Sequence, residues 1–401
     1  MKFNKWTVGL AAVGVVSLAS AVKAEEKANM VQTALSSTTL SGYVDTSAQW
    51  NLGTGNANMP LYKFGGTAKA DGFNLDVVQI RIEKPLDEQT WAAGYKVDLW
   101  YGPDANTLGT QSLGTKGDFA IRQAYVNLRM PIGNGLDWKV GVFDSIIGYE
   151  SVEAGSNPNY TRSYGHSIEP QTHTGLLATY RFCDMFTASA GVANTVNSAI
   201  NSRDIGTVLG VPNNYAESYK AYMASIQITA PKDTGFLEGS TFYGGIVNGY
   251  NSSVLGSGQG LPTMNSYVGA TLSTPVTGLR VGVAWDRLDI DTQAAGTGAI
   301  NADAWSLAGY ISYQATEKLS LHGRFEYVTA DVEKPATTGL GGNGIFATTA
   351  TIQYDLWKNV LSRIEFRWDA ADHGNLFGGT VTGVPTRQNA FLLAANVIYK
   401  F

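Results

Sequence analysis

Phe391 Leu392 Leu393 Ala394 Ala395 Asn396 Val397 Ile398 Tyr399 Lys400 Phe401 reads as one extended segment with two unlike faces. Side chains alternate across a strand, so Phe391, Leu393, Ala395, Val397, Tyr399 and Phe401 share one side, and Ala394, Asn396, Ile398 and Lys400 share the other. The first side is wholly apolar. The second carries an amide and an ammonium, so the two faces require different solvents.

Working back from this end, the same period-two pattern recurs in about sixteen segments of roughly 9 to 13 residues, the length of a tilted membrane-crossing strand. They centre on Tyr43, Gln79, Tyr95, Tyr125, Val140, Thr179, Ala188, Ala224, Tyr243, Gly269, Val283, Gly309, Arg324, Thr351, Glu365 and Asn396. Short links run 85–89, 131–135, 183–184, 231–235, 275–278, 315–317 and 357–358. Long links alternate with them at 51–72, 101–117, 146–171, 194–217, 249–264, 289–301, 331–343 and 371–387. A meander with one plain rim and one elaborated rim produces this alternation. The expectation is an all-β fold: a transmembrane antiparallel up-and-down β-barrel of about 16 strands, give or take two, with short periplasmic turns and long extracellular loops.

Cost assigns the two faces. Around Glu365, Val360, Ser362, Ile364, Phe366 and Trp368 occupy one parity, and Leu361, Arg363, Glu365, Arg367 and Asp369 the other. An arginine facing lipid near the midplane costs about 2–4 kcal/mol, so Arg363 and Arg367 are expected to face a polar lumen. Around Arg324 the pattern repeats: Leu319, Leu321, Phe325 and Tyr327 face out, with His322, Arg324 and Glu326 facing in. Trp91, Ala93, Tyr95, Val97 and Leu99 likewise oppose Lys96 and Asp98. Arg81, Arg129, Lys139, Arg181 and Arg280 complete the expected lumen wall. Any single charge here reads equally as a wall salt bridge, but so many on one face require water. Arg122 breaks the rule by sharing parity with Ala124, Val126 and Leu128, and is expected at a rim, where a lipid-side arginine is cheap.

The first residues predict export. Lys2 and Lys5 precede an apolar run from Trp6 to Leu18, too short to anchor, and Val22 and Ala24 form a small-residue cleavage pattern. The expected organisation is a signal peptide at 1–24 cleaved near Ala24, a periplasmic segment at 25–38, disordered or forming a short helix, and the barrel at 39–401. Without Lys2, Lys5 and Lys23 the 33 acidic side chains clearly outnumber the basic ones, which argues against nucleic acid as a partner. Lone Cys183 has no partner for an internal disulfide. The 46 glycines, 9 tryptophans and 20 tyrosines suit many turns and interfacial girdles.

The link 146–171 is too long for a passive connection. It contains Gly148 Tyr149 Glu150, Glu153, Asn159 Tyr160 Thr161 Arg162 Ser163, His166 and Glu169. Together with Gly42 Tyr43 Val44 Asp45, Trp50 Asn51, Gln123 Ala124 Tyr125 Val126 and the terminal Phe401, these residues resemble the putative beta-barrel porin-2, OmpL-like family. The likeness covers nearly the whole mature chain, but only the Gly148–Glu150 and Tyr160–Ser163 portions are specific. It implies an outer-membrane porin of a Gram-negative bacterium, without catalytic residues. In 16-stranded porins the third long loop folds inward and narrows the barrel. By that likeness Glu150, Glu153 and Glu169 place acid at a constriction, with Arg162 and His166 pairing with them or lining the opposite side. The competing reading is a surface loop that caps the rim.

Other chemistry is thin. His166, His173, His322 and His373 lack metal-ligand spacing, and no cofactor motif or nucleophile elbow appears. Asp286, Asp289 and Asp291 form an acidic group that reads better as solvated loop than as a cation site. Trp91, Tyr95, Trp285, Trp305 and Tyr313 read as interfacial girdle rather than a sugar slide. The expected function is passive diffusion of small hydrophilic solutes and ions, with a slight cation preference from the acidic loop. A substrate-specific sugar or anion channel using the wall arginines as a ladder is the runner-up; an outer-membrane enzyme or adhesin ranks third. Expected partners are outer-membrane lipid and lipopolysaccharide, the barrel-assembly machinery through the last strand, and two further copies in a homotrimer.

Overall fold

The computed structural model describes residues 31–32, 37–53, 55–60, 69–87, 90–108, 117–204, 207–208, 211–212, 218–251, 260–291, 301–332 and 343–401. The expected signal peptide at 1–24 lies outside the described residues, as does most of 25–38, of which Val31–Gln32 pairs with Thr39 and Leu40.

Sixteen strands follow in chain order: β1 Thr39–Leu52, β2 Gly72–Lys84, β3 Ala92–Tyr101, β4 Phe119–Met130, β5 Leu136–Asp144, β6 Thr172–Arg181, β7 Phe186–Ala193, β8 Ala221–Thr229, β9 Thr241–Tyr250, β10 Pro262–Ser273, β11 Leu279–Asp291, β12 Asn301–Gln314, β13 Leu319–Val332, β14 Gly344–Trp357, β15 Val360–Ala371 and β16 Asn389–Lys400. Each pairs antiparallel with its neighbours in sequence. The sheet closes through β16 on β1, with Ile398 opposite Asp45 and Leu393 opposite Trp50. Gly42 and Phe401 exchange two backbone hydrogen bonds of 2.9 and 3.0 Å, so the terminal aromatic residue is stitched into the seam. Among the described residues the sixteen barrel strands leave no open edge in the barrel. All sixteen expected segment centres fall inside these strands.

On β13 and β15 alternate side chains face opposite surroundings. Phe325, Ile364, Phe366 and Trp368 are exposed on the outer surface, whereas Arg324, Arg363, Glu365 and Arg367 are buried within. Outward rings of Trp305, Tyr327 and Phe346 pack in series with centroids 5.5 and 4.6 Å apart, forming part of an interfacial girdle.

Local geometry departs from the expected pattern at Arg122 and in the link between β8 and β9. Arg122 does not face lipid: the β3–β4 register skips it, passing from Asp98 opposite Gln123 to Leu99 opposite Ile121. This bulge turns its side chain inward, where it is 2% exposed and 2.6 Å from Asp144. A second bulge between β1 and β2 does the same for Asp76. The link between β8 and β9 runs 230–240 rather than 231–235, because it contains the 3-10 turn Gly235–Leu237, so it is not shorter than the opposite-rim link 251–261.

Candidate functional site

Between β5 and β6 the chain turns into the barrel instead of rising from its rim. No residue from 145 to 171 is exposed. Its course is fixed by bonds to strand walls far away in sequence. Glu365 of β15 accepts from the backbone N–H of Tyr160 at 2.5 Å and of Thr161 at 2.9 Å, and from the Thr161 hydroxyl at 2.6 Å. Glu326 of β13 accepts from the Tyr164 N–H at 2.7 Å. On β10, the Asn265 amide donates to the Ile168 carbonyl at 3.0 Å. A helical turn, Tyr164–Ile168, is capped by Ser163, whose hydroxyl accepts from the His166 N–H.

The wall arginines hold this loop. Arg324 bonds Glu150 at 2.8 Å and Glu326 at 3.1 Å, and donates to the carbonyls of Thr161 and Arg162. Arg363 donates to the carbonyls of Ala154 at 3.0 Å and Asn157 at 2.5 Å. Arg367 donates to the Arg162 carbonyl at 2.6 Å, pairs with Asp369 and lies over the Tyr164 ring. A guanidinium offers five donors in a fixed fork, enough to serve a carboxylate and two carbonyls at once. All three are at most 2% exposed, so they are not a ladder open to solute.

An apolar seat holds the loop's first turn. Ile146, Ile147 and Tyr149 pack with Phe143, Leu177, Met223, Val247, Tyr267 and Tyr310, all projecting inward. Tyr149 stacks on Tyr310 with centroids 4.1 Å apart, and its hydroxyl reaches Thr271 at 3.2 Å. Glycines make the room: a Cβ on Gly245 would sit 2.7 Å from Ile147, and one on Gly282 would collide with the Tyr149 hydroxyl. Apolar inward positions on β6 to β9 were the sequence signal for this seat.

The acids of the loop are engaged. Glu150 accepts from Arg324, from the Ser163 N–H at 2.9 Å and from Tyr310. Glu153 pairs with Arg81; burial alone would raise its pKa, but Arg81 and Lys96 outweigh that and hold the carboxyl at about 2. Glu169 lies 3.7 Å from His166. Arg162 turns onto its own loop, donating to the carbonyls of Asn159, Tyr160 and Val152.

The other expected wall residues lie across the barrel. Arg81 is bidentate to Asp98, which Lys96 approaches at 3.6 Å. Arg129 pairs with Asp137, and Lys139 rests over the Tyr125 ring at 5.1 Å. Arg181 sits beside Asp184 in the periplasmic turn, and Arg280 donates to Ser273 and Gly239. Asp286 is buried inside, while Asp289 is on the outer face with Arg287 and Asp303; the three aspartates Asp286, Asp289 and Asp291 therefore do not form one group. No cluster fit to hold a metal occurs among the described residues. Sequence reasoning missed one hub: Lys69 bridges Asp76 and Asp104, and the Tyr160 hydroxyl reaches Asp76 at 3.3 Å.

Inward positions separate into two sectors. From Ser320 of β13 round through Gln353, Arg363 and Asn396 to Asn51 of β1, the loop and its neighbours bury the wall. Partly exposed inward residues concentrate on β2 to β12, among them Arg81, Glu83, Lys96, Lys139, Ser225, Gln227, Tyr243 and Arg280.

The model of the family described as putative beta-barrel porin-2, OmpL-like matches residues 37–401. Among solved structures, the outer membrane channel DcaP of Acinetobacter baumannii is similar at a TM-score of 0.59 and 12% identity, covering 92% of this chain and 99% of that one. The trimer form of OmpT from Vibrio cholerae gives 0.58 and 12%, covering 91% and 99%. An anion-selective porin from Comamonas acidovorans gives 0.55 and 12%, also covering 91% and 99%. At these identities the likeness is one of fold. No curated protein matches the chain.

Proposed function

The chain belongs to the putative beta-barrel porin-2, OmpL-like family and is an outer-membrane porin channel; we propose that it passes small hydrophilic solutes and ions by diffusion along the β2–β12 side of a lumen narrowed by residues 145–171. The observation that carries this reading is the uneven burial of the interior, complete from β13 to β1 and interrupted on β2 to β12, where partly exposed inward groups remain between buried ones. The inward wall from β13 to β1 is sealed behind the loop, and water-accessible polar groups remain on the facing side. Such a lumen sieves by cross-section and by the fields of its fixed charges. Family and fold favour a channel over an enzyme.

A substrate-specific anion channel built on a wall-arginine ladder is less favoured, because Arg324, Arg363 and Arg367 spend their donors on the loop. Outer-membrane lipid and lipopolysaccharide against the outer face, the assembly machinery at β16, and a homotrimer like the V. cholerae form are further parts of the proposal. So is removal of residues 1–24 on export to the outer membrane of a Gram-negative bacterium. Liposome swelling tests the diffusion reading. Small sugars are expected to enter at rates that fall steeply with size and do not saturate. Saturating uptake of one solute, with exclusion of others its size, would replace it with the specific channel.

A further inference from the structure

The charges that a permeating ion meets are not those that dominate the wall by number. A buried pair presents a dipole whose field fades quickly, while a lone charge beside water keeps its full monopole. On the water-facing β2–β12 sector nearly every cation is answered. Arg81 has Asp98 and Glu153, Lys96 has Asp98, Arg122 has Asp144, Arg129 has Asp137 and Arg181 has Asp184.

Two cations differ. Lys139 faces inward between Asn127 and Leu177, its cross-strand neighbours, and the contact of its ammonium is the Tyr125 ring. Arg280 stands between Ser273 and Ser312 and donates to a hydroxyl and a backbone carbonyl. Neither forms an ion pair within 4.0 Å among the described residues. The acids near Lys139 are Asp144, Asp137 and Glu83: the first two are paired with Arg122 and Arg129, and Glu83 lies directly opposite Lys96 in the β2–β3 register. The acids of the loop do not restore the balance, since Glu150 and Glu153 are each bound to an arginine and Glu169 is buried beside His166.

We propose that Lys139 and Arg280 set the ion preference of this channel and that the preference is for anions. Small carboxylates and inorganic anions are the solutes such a lumen favours. The inference rests on the channel reading above and reverses the cation preference expected from the loop's composition.

The test is the zero-current reversal potential of the mature chain in a planar bilayer under a KCl gradient. Dilute salt is needed, because the screening length is about 10 Å at 0.1 M and about 3 Å at 1 M. The wild type is expected to show a potential of the sign set by chloride, shrinking in concentrated salt. Lys139→Gln and Arg280→Gln should each reduce it, the double variant Lys139→Glu with Arg280→Glu should invert its sign, and Glu83→Gln should enlarge it. A potassium-preferring wild type overturns the inference, as does an unchanged potential in a double variant that still forms channels. If the double variant does not insert, unchanged potentials in the two glutamine variants and Glu83→Gln overturn it equally. A wild type that forms no channels contradicts the channel reading instead.

Discussion

Glu365 spends both carboxylate oxygens inside the barrel, on two backbone N–H groups and two threonine hydroxyls, so a wall charge legible in the sequence is unavailable to solute. Arg324 is its counterpart on β13, touching Glu150, Glu326 and two loop carbonyls. Removing one partner of such a buried set strands the others, at about 3–5 kcal/mol. Arg324→Met is therefore expected to release the loop while the backbone ladder keeps the barrel closed. Protease cleavage within 145–171, absent in the wild type, checks this. Glu153 gives a pH dependence. Its carboxyl is held below the ordinary 4.5, at about 2, so the tether to Arg81 is at full strength above 4.5 and is lost as pH falls from there through about 2. Single-channel current is expected to stay quiet down to about pH 4.5 and to flicker increasingly as pH falls from there toward about 2, with Glu153→Gln flickering throughout. At this scale sequence reveals which side of the wall a residue occupies, because lipid penalises charge. It does not reveal the partner: Glu365 meets Tyr160 across 205 positions, and no spacing rule reaches that far.

Strand existence, order and facing were readable because every second residue answers to hydrocarbon, a constraint felt at each strand separately. Bulges were not. One extra residue on β4 moves Arg122 from the lipid parity to the interior, and nothing in the alternation marks where the skip occurs. The inward fold of residues 145–171 was expected from length and likeness. Its apolar seat is marked only indirectly, by Leu177, Met223 and Val247 at inward positions of β6, β8 and β9, where a water-filled lumen alone would favour polar side chains. Gly282 of β11 faces this seat, and a side chain there would collide with the Tyr149 hydroxyl. Gly282→Val should unseat the loop's first turn, raising mean conductance and current noise. Tyr149→Ala, which loses a buried aromatic at about 3–5 kcal/mol, should do likewise, and unchanged traces in both would show that the seat does not hold the loop.

Across the whole molecule, closure of β16 on β1 makes the fold independent of the loop's position. The barrel is held by backbone bonds around its full circumference, and the loop by side-chain bonds inside it, so the two are separable. That separation makes a gated cross-section physically reasonable: releasing the inner element costs no strand pairing. The most direct measurement is the unitary conductance of the refolded mature chain in planar bilayers, compared with Arg324→Met. Discrete steps in the wild type, larger and noisier steps in the variant, and equal thermal stability of the two barrels are the expected result. An absence of steps in the wild type, or a released loop that leaves step size unchanged, would contradict the account.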